Sequence, residues 1–262
     1  MGLNIDLHCH SFFSGDGVSS PDELVVAAKK RGLHGFALTD HNTCEGVEYL
    51  RQRGLIRPDG LPVDGFLVIP GVEVTTREGH LLCIGATLPQ LKGAPAAEVC
   101  KAIHERGGLA IAPHPYDFFR AGIRQSVFEK LDIDAFEVFN AATTLMYYNT
   151  KALRFAKSRG LPMTAASDAH HHAAIGTSYT ILDTEDFSVR GVLAQIVKEN
   201  RRKEVYLTPG DSLRKTWSNW LRLKSPRKLI KPEDQGTEVR ASNPEDQGTA
   251  VRASAQAKDH RT

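Results

Sequence analysis

Six strand-like segments of this chain each end in side chains that bind metals or transfer protons. One polar residue at the end of a strand is usually a cap or a loop residue, but six such ends made of His, Asp and Glu predict a functional site. The carboxyl ends of successive strands in βα units meet at one edge of the sheet, so these side chains should converge. The six ends are Asp6–His10, Asp40–Asn42, Glu73, His114, Glu137–Asn140 and Asp168–His170.

Helix-like segments separate most of these strands. Ser20-Pro21-Asp22-Glu23 is a capping box with proline at the first helical position, which predicts a helix ending near Gly32. Repeated βα units within about 210 residues predict a parallel sheet with helices outside it, closed or nearly closed into a barrel. A doubly wound open sheet is the second possibility. The expected strands are 3–9, 34–39, 66–74, 80–86, 109–113, 133–139, 162–167, 177–182 and 204–207; the expected helices after the first are 43–53, 95–106, 145–159 and 188–199.

The chain changes character near residue 210. Residues 211–231 carry seven basic residues and one acidic residue, with Trp217 and Trp220 among them. Residues 232–242 (PEDQGTEVRAS) are almost repeated at 244–254 (PEDQGTAVRAS), and their composition predicts disorder. The sequence therefore predicts a catalytic domain over 1–210, a basic amphipathic segment or helix over 211–231 and a disordered tail over 232–262.

The sequence also favours an intracellular enzyme. It has no run of about 18 apolar residues and no basic-then-apolar leader, so we expect neither a membrane helix nor a secretory signal. Its four cysteines, Cys9, Cys44, Cys83 and Cys100, show no C-x-x-C pairing. A reducing compartment, the cytoplasm, is the expected location, with no membrane partner.

The chemistry of the strand ends indicates metal binding. Residues i and i+2 of a strand point to the same face, so Asp6, His8 and His10 should lie side by side. Mixed imidazole and carboxylate ligands suit Zn²⁺, Mn²⁺ or Fe²⁺. Such ions lower the pKa of bound water and offset the charge of a phosphoryl group, which predicts a hydrolase acting on phosphoric ester bonds.

The order of the motifs resembles the PHP (polymerase and histidinol phosphatase) superfamily over about residues 3–207. The motifs are Asp6-Leu7-His8-Cys9-His10-Ser11, Leu38-Thr39-Asp40-His41-Asn42, Gly71-Val72-Glu73, Gly79-His80-Leu81-Leu82, Pro113-His114-Pro115 and Ser167-Asp168-Ala169-His170. The resemblance implies a distorted (β/α)7 barrel with a trinuclear metal site. It also implies hydrolysis of a phosphate monoester or diester by a hydroxide that bridges the metals.

The resemblance also implies which residues bind each of two to three divalent ions. The first ion would take His8, His10, Glu73 and Asp168; the second would share Glu73 and take His114 and His80; the third would take Asp16, His41 and His170. Asp40, His41 or a metal-bound water is a candidate acid for the leaving group.

Three further residues are candidates for binding substrate. Arg120 and Arg124 follow the Pro-His-Pro motif, and arginine suits bidentate binding of phosphate. Asn140 could orient substrate, and Glu137 is expected to lie behind the metal ligands.

Several functions remain open. Only 40 residues separate Glu73 from His114, so the inserted helical domain of nucleotide-specific relatives is absent. We expect a small phosphorylated metabolite or nucleotide as substrate. The alternative is a PHP-type nuclease whose basic segment 211–231 binds nucleic acid. An amidohydrolase that cleaves C–N bonds is disfavoured, because no lysine stands at a strand end to bridge metals. The sequence predicts no oligomeric state.

Overall fold

The computed structural model describes residues 2–208, so the predicted basic segment 211–231 and tail 232–262 lie outside the described residues. The strands are β1 (Gly2–Cys9), β2 (Gly35–Leu38), β3 (Leu67–Thr75), β4 (His80–Ile84), β5 (Leu109–Ala112), β6 (Ala135–Asn140), β7 (Met163–Ala166), β8 (Tyr179–Asp183) and β9 (Arg201–Lys203). The helices are α1 (Pro21–Lys30), α2 (Glu45–Gln52), α3 (Ala96–His104), α4 (Gln125–Phe128), α5 (Met146–Arg159) and α6 (Val189–Ile196), with one 3₁₀ turn at Phe118–Arg120.

The strands form one sheet that curls into a nearly closed barrel, as predicted. Its order is β7-β6-β5-β4-β3-β2-β1-β8-β9. Beyond β7 the chain returns to β1, where Cys9 and Ala169 form a parallel bridge and the His10 N–H donates to the Ala169 carbonyl oxygen at 2.8 Å. This contact brings the two ends of the barrel wall together, which a doubly wound open sheet would not do.

The prediction of a parallel sheet is wrong for two strands, β4 and β8. β1, β2 and β3 run parallel to one another, as do β5, β6 and β7. β4 is antiparallel to both β3 and β5, and β8 is antiparallel to β1 and β9. Only residues 76–79 join β3 to β4, and a parallel crossover needs a dozen or more residues. Because β4 is reversed, its first residue, His80, lies at the edge where the parallel strands end.

The last strand was also predicted in the wrong place. β9 comprises Arg201–Lys203 and pairs with β8, whereas residues 204–207 are not in a strand. Two of its apolar side chains, those of Tyr206 and Leu207, pack against Phe139, Ala141 and Ala165. The Tyr206 ring lies 4.7 Å from the ring of Phe139, and the Leu207 N–H donates to the Ala141 carbonyl oxygen at 3.0 Å. The apolar residues of 204–207 therefore predicted a strand where the chain instead packs against the end of β6.

Helix α1 begins where the sequence predicted. The Ser20 hydroxyl accepts from the Glu23 N–H at 3.2 Å, and the Glu23 carboxylate accepts from the Ser20 N–H at 2.8 Å. These two hydrogen bonds satisfy donors that the first turn leaves unpaired. Among residues 2–208, the helices are all too short or too polar to cross a membrane.

Strand β1 carries residues of both the core and the site. Leu3, Ile5 and Leu7 are buried in one core cluster with Ile69 of β3 and Val192 of α6. The pairing of β1 with β2 is irregular between Asp6 and Cys9, so regular alternation does not run through His8. His8 lies beside Glu73, whereas Asp6 contacts Ser167 and Gly176.

Candidate metal centre

The buried carboxylate of Glu73, on β3, lies at the centre of the site. Its Oε1 atom is 2.9 Å from Nδ1 of His80 and 3.2 Å from Nε2 of His114. Its Oε2 atom is 3.1 Å from Nε2 of His8 and 3.3 Å from Nε2 of His10. Both oxygens of one carboxylate face imidazole nitrogens, so Glu73 can contribute to two neighbouring cation positions.

Asp168, just after β7, completes the first predicted ligand set. Its Oδ1 atom is 3.4 Å from Nε2 of His10 and 3.7 Å from Nε2 of His8. The backbone of Asp168 has a φ of +52°, in the left-handed region that a non-glycine residue seldom adopts. This conformation, which recurs at ligand sites, is part of the turn between β7 and the bridge to β1.

The third predicted ligand set lies beside the first. The Oδ2 atom of Asp16 is 2.8 Å from Nε2 of His170 and 3.8 Å from Nε2 of His41. The other nitrogen of His41, Nδ1, is 3.2 Å from Oε2 of Glu73. The His10 ring stacks between them, with its centroid 4.5 Å from that of His41 and 4.3 Å from that of His170. The third ligand set therefore adjoins the first, and Glu73 lies next to residues of all three sets.

Nitrogen and oxygen donors within 4.8 Å of one another define overlapping groups in this cluster. Because the groups share members, the donors form one continuous cluster at the open edge of the barrel. The groups are His10, His41 and His170; His8, His114 and Asp168; His8, His10 and Glu73; and His41, Glu73 and His80.

Unpartnered polar atoms show that the cluster fits a cation. Five buried atoms of its ligand side chains have no hydrogen-bond partner among residues 2–208, namely Nε2 of His10, Nδ1 of His41, Nδ1 of His80, Nδ1 of His114 and Oδ1 of Asp168. Buried polar groups are almost always paired, and an ion is one of the accepted explanations for exceptions. Imidazoles and carboxylates together are suitable ligands for Zn²⁺, Mn²⁺ or Fe²⁺.

The charges in the cluster shift its groups in different directions. Despite burial, the carboxylates of Asp168 and Glu73 raise the pKa of His10 to about 9, whereas Asp168 and His41 are held in the forms that bind metal ions. Burial opposes ionisation of Asp168, but the positive charges of Arg120 and His8 outweigh it and hold the pKa of Asp168 well below its usual value. Burial lowers the pKa of His41 to about 3, despite the nearby Glu73 carboxylate. An ionised carboxylate and a neutral imidazole are the protonation states that bind metal ions.

Glu137 and Asn140, on β6, form hydrogen bonds that hold the predicted metal ligands in position. The Oε1 atom of Glu137 is 3.0 Å from Nδ1 of His8, and its Oε2 atom accepts from the His114 N–H at 2.7 Å. The Asn140 side-chain amide donates to Glu137 at 2.8 Å and to Asp168 at 2.9 Å. The Asn140 side chain is buried and both its amide hydrogens are in use. It supports the ligands through these two bonds, and substrate binding by Asn140 stays a prediction.

Asp40, a predicted candidate acid, supports a loop of the site, and its role as an acid stays a prediction. Its carboxylate is buried and accepts from the Ser11 N–H at 2.6 Å, the Ser11 hydroxyl at 2.7 Å and the Ser14 N–H at 3.3 Å. Ser14 in turn donates to Asp16 at 3.1 Å. Asp40 therefore fixes the loop that presents Asp16, and its oxygens are occupied in doing so.

The two predicted substrate-binding arginines occupy different positions. Arg120 is mostly buried and donates through Nη2 to Oδ2 of Asp168. It therefore lies inside the cluster. Arg124 is exposed at the start of α4, in a groove that also contains Phe118 and Gly79. Of these two arginines, only Arg120 contacts a predicted metal ligand among the described residues.

Sequence reasoning missed Asp117. Its Oδ2 atom accepts from the Thr144 N–H at 2.7 Å and from the Thr143 hydroxyl at 3.0 Å. The loop after β5 is thereby tied to the loop after β6. The only sequence signal was its position three residues after His114, because its partners lie 26 and 27 residues away.

Two proteins of known sequence are similar to this chain over most of their length. "Uncharacterized protein MJ1587" of Methanocaldococcus jannaschii is 35% identical over 149 residues, which cover 53% of this chain and 82% of that protein. A protein named "Probable phosphatase" from Caldicellulosiruptor bescii is 26% identical over 207 residues, covering 67% of this chain and 83% of the relative.

The fold and the clustered His, Asp and Glu side chains define a metal-binding β/α barrel. The crystal structure of PsfC from Pseudomonas syringae shares this fold, with a TM-score of 0.66 at 17% identity over 84% of this chain and 98% of PsfC. The PHP-associated family matches residues 147–200, which include Asp168 and His170. The chain belongs to the PHP superfamily.

Proposed function

We propose that this protein is a metal-dependent phosphoesterase that hydrolyses a phosphate monoester or diester of a small metabolite or nucleotide. The observation that carries the proposal is the position of Glu73, whose two carboxylate oxygens lie 2.9–3.3 Å from imidazole nitrogens on both sides. When divalent ions are bound there, they lower the pKa of water and offset the charge of the phosphoryl oxygens.

The ligand residues also determine how substrate approaches. The side chains of His8, His10 and Glu73 are at most 1% exposed, whereas those of His41 and Asp16 are 22% and 40% exposed. The phosphate group would therefore enter from the side of His41 and Asp16. The oxygens of Asp40 are already occupied by Ser11 and Ser14, and His41, with its pKa lowered to about 3, is neutral. A water held by the bound ions would therefore be the better candidate for protonating the leaving group.

The proposal also covers the number and identity of the metal ions and the location of the protein. We infer a site for three ions, one in each ligand set, filled by Zn²⁺, Mn²⁺ or Fe²⁺. The overlap of the donor groups and their mixed His and carboxylate composition support this inference. The cytoplasm is the proposed location, supported by four free cysteines, of which Cys9, Cys83 and Cys100 are buried.

Hydrolysis of p-nitrophenyl phosphate with added Mn²⁺ tests the proposal. We expect metal-dependent turnover that is abolished by EDTA and by His8→Ala. His104→Ala is a matched control, because His104 pairs with Asp134 at 2.8 Å outside the cluster. The proposal is wrong if no ester in a panel of phosphorylated metabolites, nucleotides and oligonucleotides is hydrolysed in a metal-dependent way.

The course of the chain favours one alternative, a nuclease. The Asn149 side chain lies 3.5 Å from the Tyr206 hydroxyl, and the Leu207 N–H donates to the carbonyl oxygen of Ala141, the residue after Asn140. The described chain therefore reaches Thr208 on the side of the barrel where the cluster lies. The basic segment 211–231 begins only a few residues later.

Replacing the seven basic residues of 211–231 by glutamine separates the two functions. A nuclease would lose oligonucleotide cleavage while retaining turnover of mononucleotides, and its oligonucleotide binding would weaken steeply with salt. If the variant matches the wild type on both substrates at every salt concentration, the nuclease alternative fails.

A further inference from the structure

A group of exposed apolar side chains lies on the two segments that follow β5 and β6. Nine large hydrophobic residues are exposed among residues 2–208, and five of them lie there. Single exposed apolar residues are ordinary, but a concentration of them in one place marks a surface that something covers. We call these five residues the apolar rim: Phe118, Phe119, Leu145, Met146 and Tyr147.

Hydrogen bonds join the two segments that carry the apolar rim. The Asp117 carboxylate accepts from the Thr143 hydroxyl at 3.0 Å and from the Thr144 N–H at 2.7 Å. The Arg120 side chain donates to the Ala142 carbonyl oxygen at 3.4 Å. Asp117 and Arg120 flank the two phenylalanines, and their partners directly precede the other three rim residues. The rim therefore belongs to one pair of joined segments.

The described chain ends beside the apolar rim. The Asn149 side chain, on α5, donates to the Tyr206 hydroxyl at 3.5 Å. Met146 is three residues before Asn149 on the same helix, about 4.5 Å along its axis. The Leu207 N–H donates to the Ala141 carbonyl oxygen at 3.0 Å, at the start of the segment that leads to the rim. The 54 residues that follow position 208 therefore begin next to this surface.

The sequence that follows carries an apolar stripe of its own. Its apolar residues recur at i, i+4, i+7 and i+8, which is typical of a helix with one apolar face. Such a helix is stable in water mainly when that face packs against something. Position 213 is five residues beyond position 208, so it lies within about 18 Å of it even in a fully extended chain. The stripe residues are Leu213, Trp217, Trp220 and Leu221, and the basic residues on the opposite face are Arg214, Lys215 and Arg222.

We propose that the segment 213–221 docks its apolar stripe on the apolar rim of the same chain. The tether of a few residues gives the segment an effective concentration at the rim on the order of millimolar, which favours it over a second copy or a free partner. The basic face then remains in solvent beside the ends of β5 and β6, where it attracts an anionic substrate. The docking itself does not depend on the proposed phosphoesterase function.

Tryptophan fluorescence tests the docking directly, because both tryptophans of the chain, Trp217 and Trp220, belong to the stripe. In the full-length protein we expect emission at a shorter wavelength than that of N-acetyltryptophanamide, and weaker quenching by acrylamide. Trp217→Phe and Trp220→Phe, which each leave one tryptophan, should both show this protection. The signals should not change with protein concentration, because the contact lies within one chain.

Substitutions in the rim test where the stripe docks. Phe119→Ser combined with Met146→Ser should shift the emission to longer wavelength and strengthen quenching. The docking equilibrium constant should fall at least about tenfold, equivalent to about 1.4 kcal/mol of lost apolar burial. The matched control is Leu61→Ser combined with Val197→Ser, since these residues are 45% and 41% exposed and share a cavity with Leu109, the first residue of β5, at the other end of the barrel.

A second control removes the basic face. Arg214→Gln, Lys215→Gln and Arg222→Gln together should leave emission and quenching unchanged, because the apolar stripe makes the contact. Far-ultraviolet circular dichroism checks that every variant is folded, and the measurements on the wild type need no variant.

Three results would overturn the inference. The first is emission and quenching in the wild type equal to those of N-acetyltryptophanamide. The second is unchanged emission in the folded rim variant, which would place the stripe elsewhere. The third is protection that appears only as protein concentration rises, or only when an oligonucleotide or anionic lipid vesicles are added. That result would assign the stripe to a second copy of the chain or to an external partner.

Discussion

The carboxylate of Glu137 lies 3.0 Å from Nδ1 of His8, on the ring nitrogen opposite the one that faces Glu73 at 3.1 Å. A histidine that donates one ring N–H to a carboxylate has its other nitrogen fixed in position and made more basic for a metal. Both residues are buried, so neither has water as a substitute partner.

Glu137→Gln should therefore weaken metal binding. The substitution retains the shape of the side chain but removes the charge, and losses of such partners typically lower affinity by about 10- to 100-fold. Competition with a chromophoric chelator measures the dissociation constant. Glu129→Gln is the control, because Glu129 pairs with Arg159 on the surface. Equal affinities in the wild type and Glu137→Gln would contradict the role assigned to this carboxylate.

Arg120→Gln should destabilise the metal-free protein more than the metal-loaded one. Without metal, Arg120 is a positive charge beside the buried carboxylate of Asp168 that, unlike the charge of a histidine, does not depend on pH. Removing one partner of a buried ion pair costs about 3 kcal/mol or more in the free energy of unfolding. Bound cations would replace that charge, so urea unfolding with Mn²⁺ should show a much smaller loss than unfolding with EDTA. Arg159→Gln, which breaks a surface pair, should have little effect in either condition; equal losses for Arg120→Gln with and without metal would refute the prediction.

Asp16→Ala should lower the number of bound metal ions. Asp16 lies 2.8 Å from His170 and belongs to the ligand set most open to solvent. Asp16→His should retain the ion, because imidazole is also a ligand for Zn²⁺ and Mn²⁺. Metal content after gel filtration, measured by mass spectrometry, checks this. The same content in the wild type and both variants would show that Asp16 is not a ligand.

Asp6→Ala should weaken the closure of the barrel. The Asp6 carboxylate accepts from the Ser167 N–H at 3.0 Å, the Ser167 hydroxyl at 2.5 Å and the Gly176 N–H at 2.8 Å. Each buried donor left without an acceptor costs about 1–3 kcal/mol, so we expect a loss of roughly 3 kcal/mol or more in the free energy of unfolding. Asp183→Ala breaks an exposed pair with Arg201 and should lower the free energy of unfolding much less than Asp6→Ala does. Urea unfolding that ranks the two variants equally would contradict the role of Asp6.

Much of the site follows from periodicity and from the positions of strand ends. The i, i+2 spacing of His8 and His10 is sufficient to place both imidazoles on one face, and both lie beside Glu73. The Ser20 capping box fixed the start of α1 within the sequence itself. These features depend on neighbours a few residues apart, so local rules describe them well.

Contacts between distant residues decided the roles of several side chains. Asn140 and Asp40 end strands as the ligands do, but Asn140 bonds Asp168 across 28 residues and Asp40 bonds Ser11 across 29. The sequence pattern cannot distinguish a ligand from its support, because both are polar residues at the same edge.

The sequence by itself determined which metal-binding side chains this protein has and that they would gather where the strands end. The tertiary structure alone decided that β4 runs backwards, which brings His80 to that edge, and that Glu73 faces imidazoles with both oxygens. The physical reason is that strand direction and side-chain partners depend on sheet pairing and packing between segments far apart in the chain, whereas periodicity records only the face on which each residue lies.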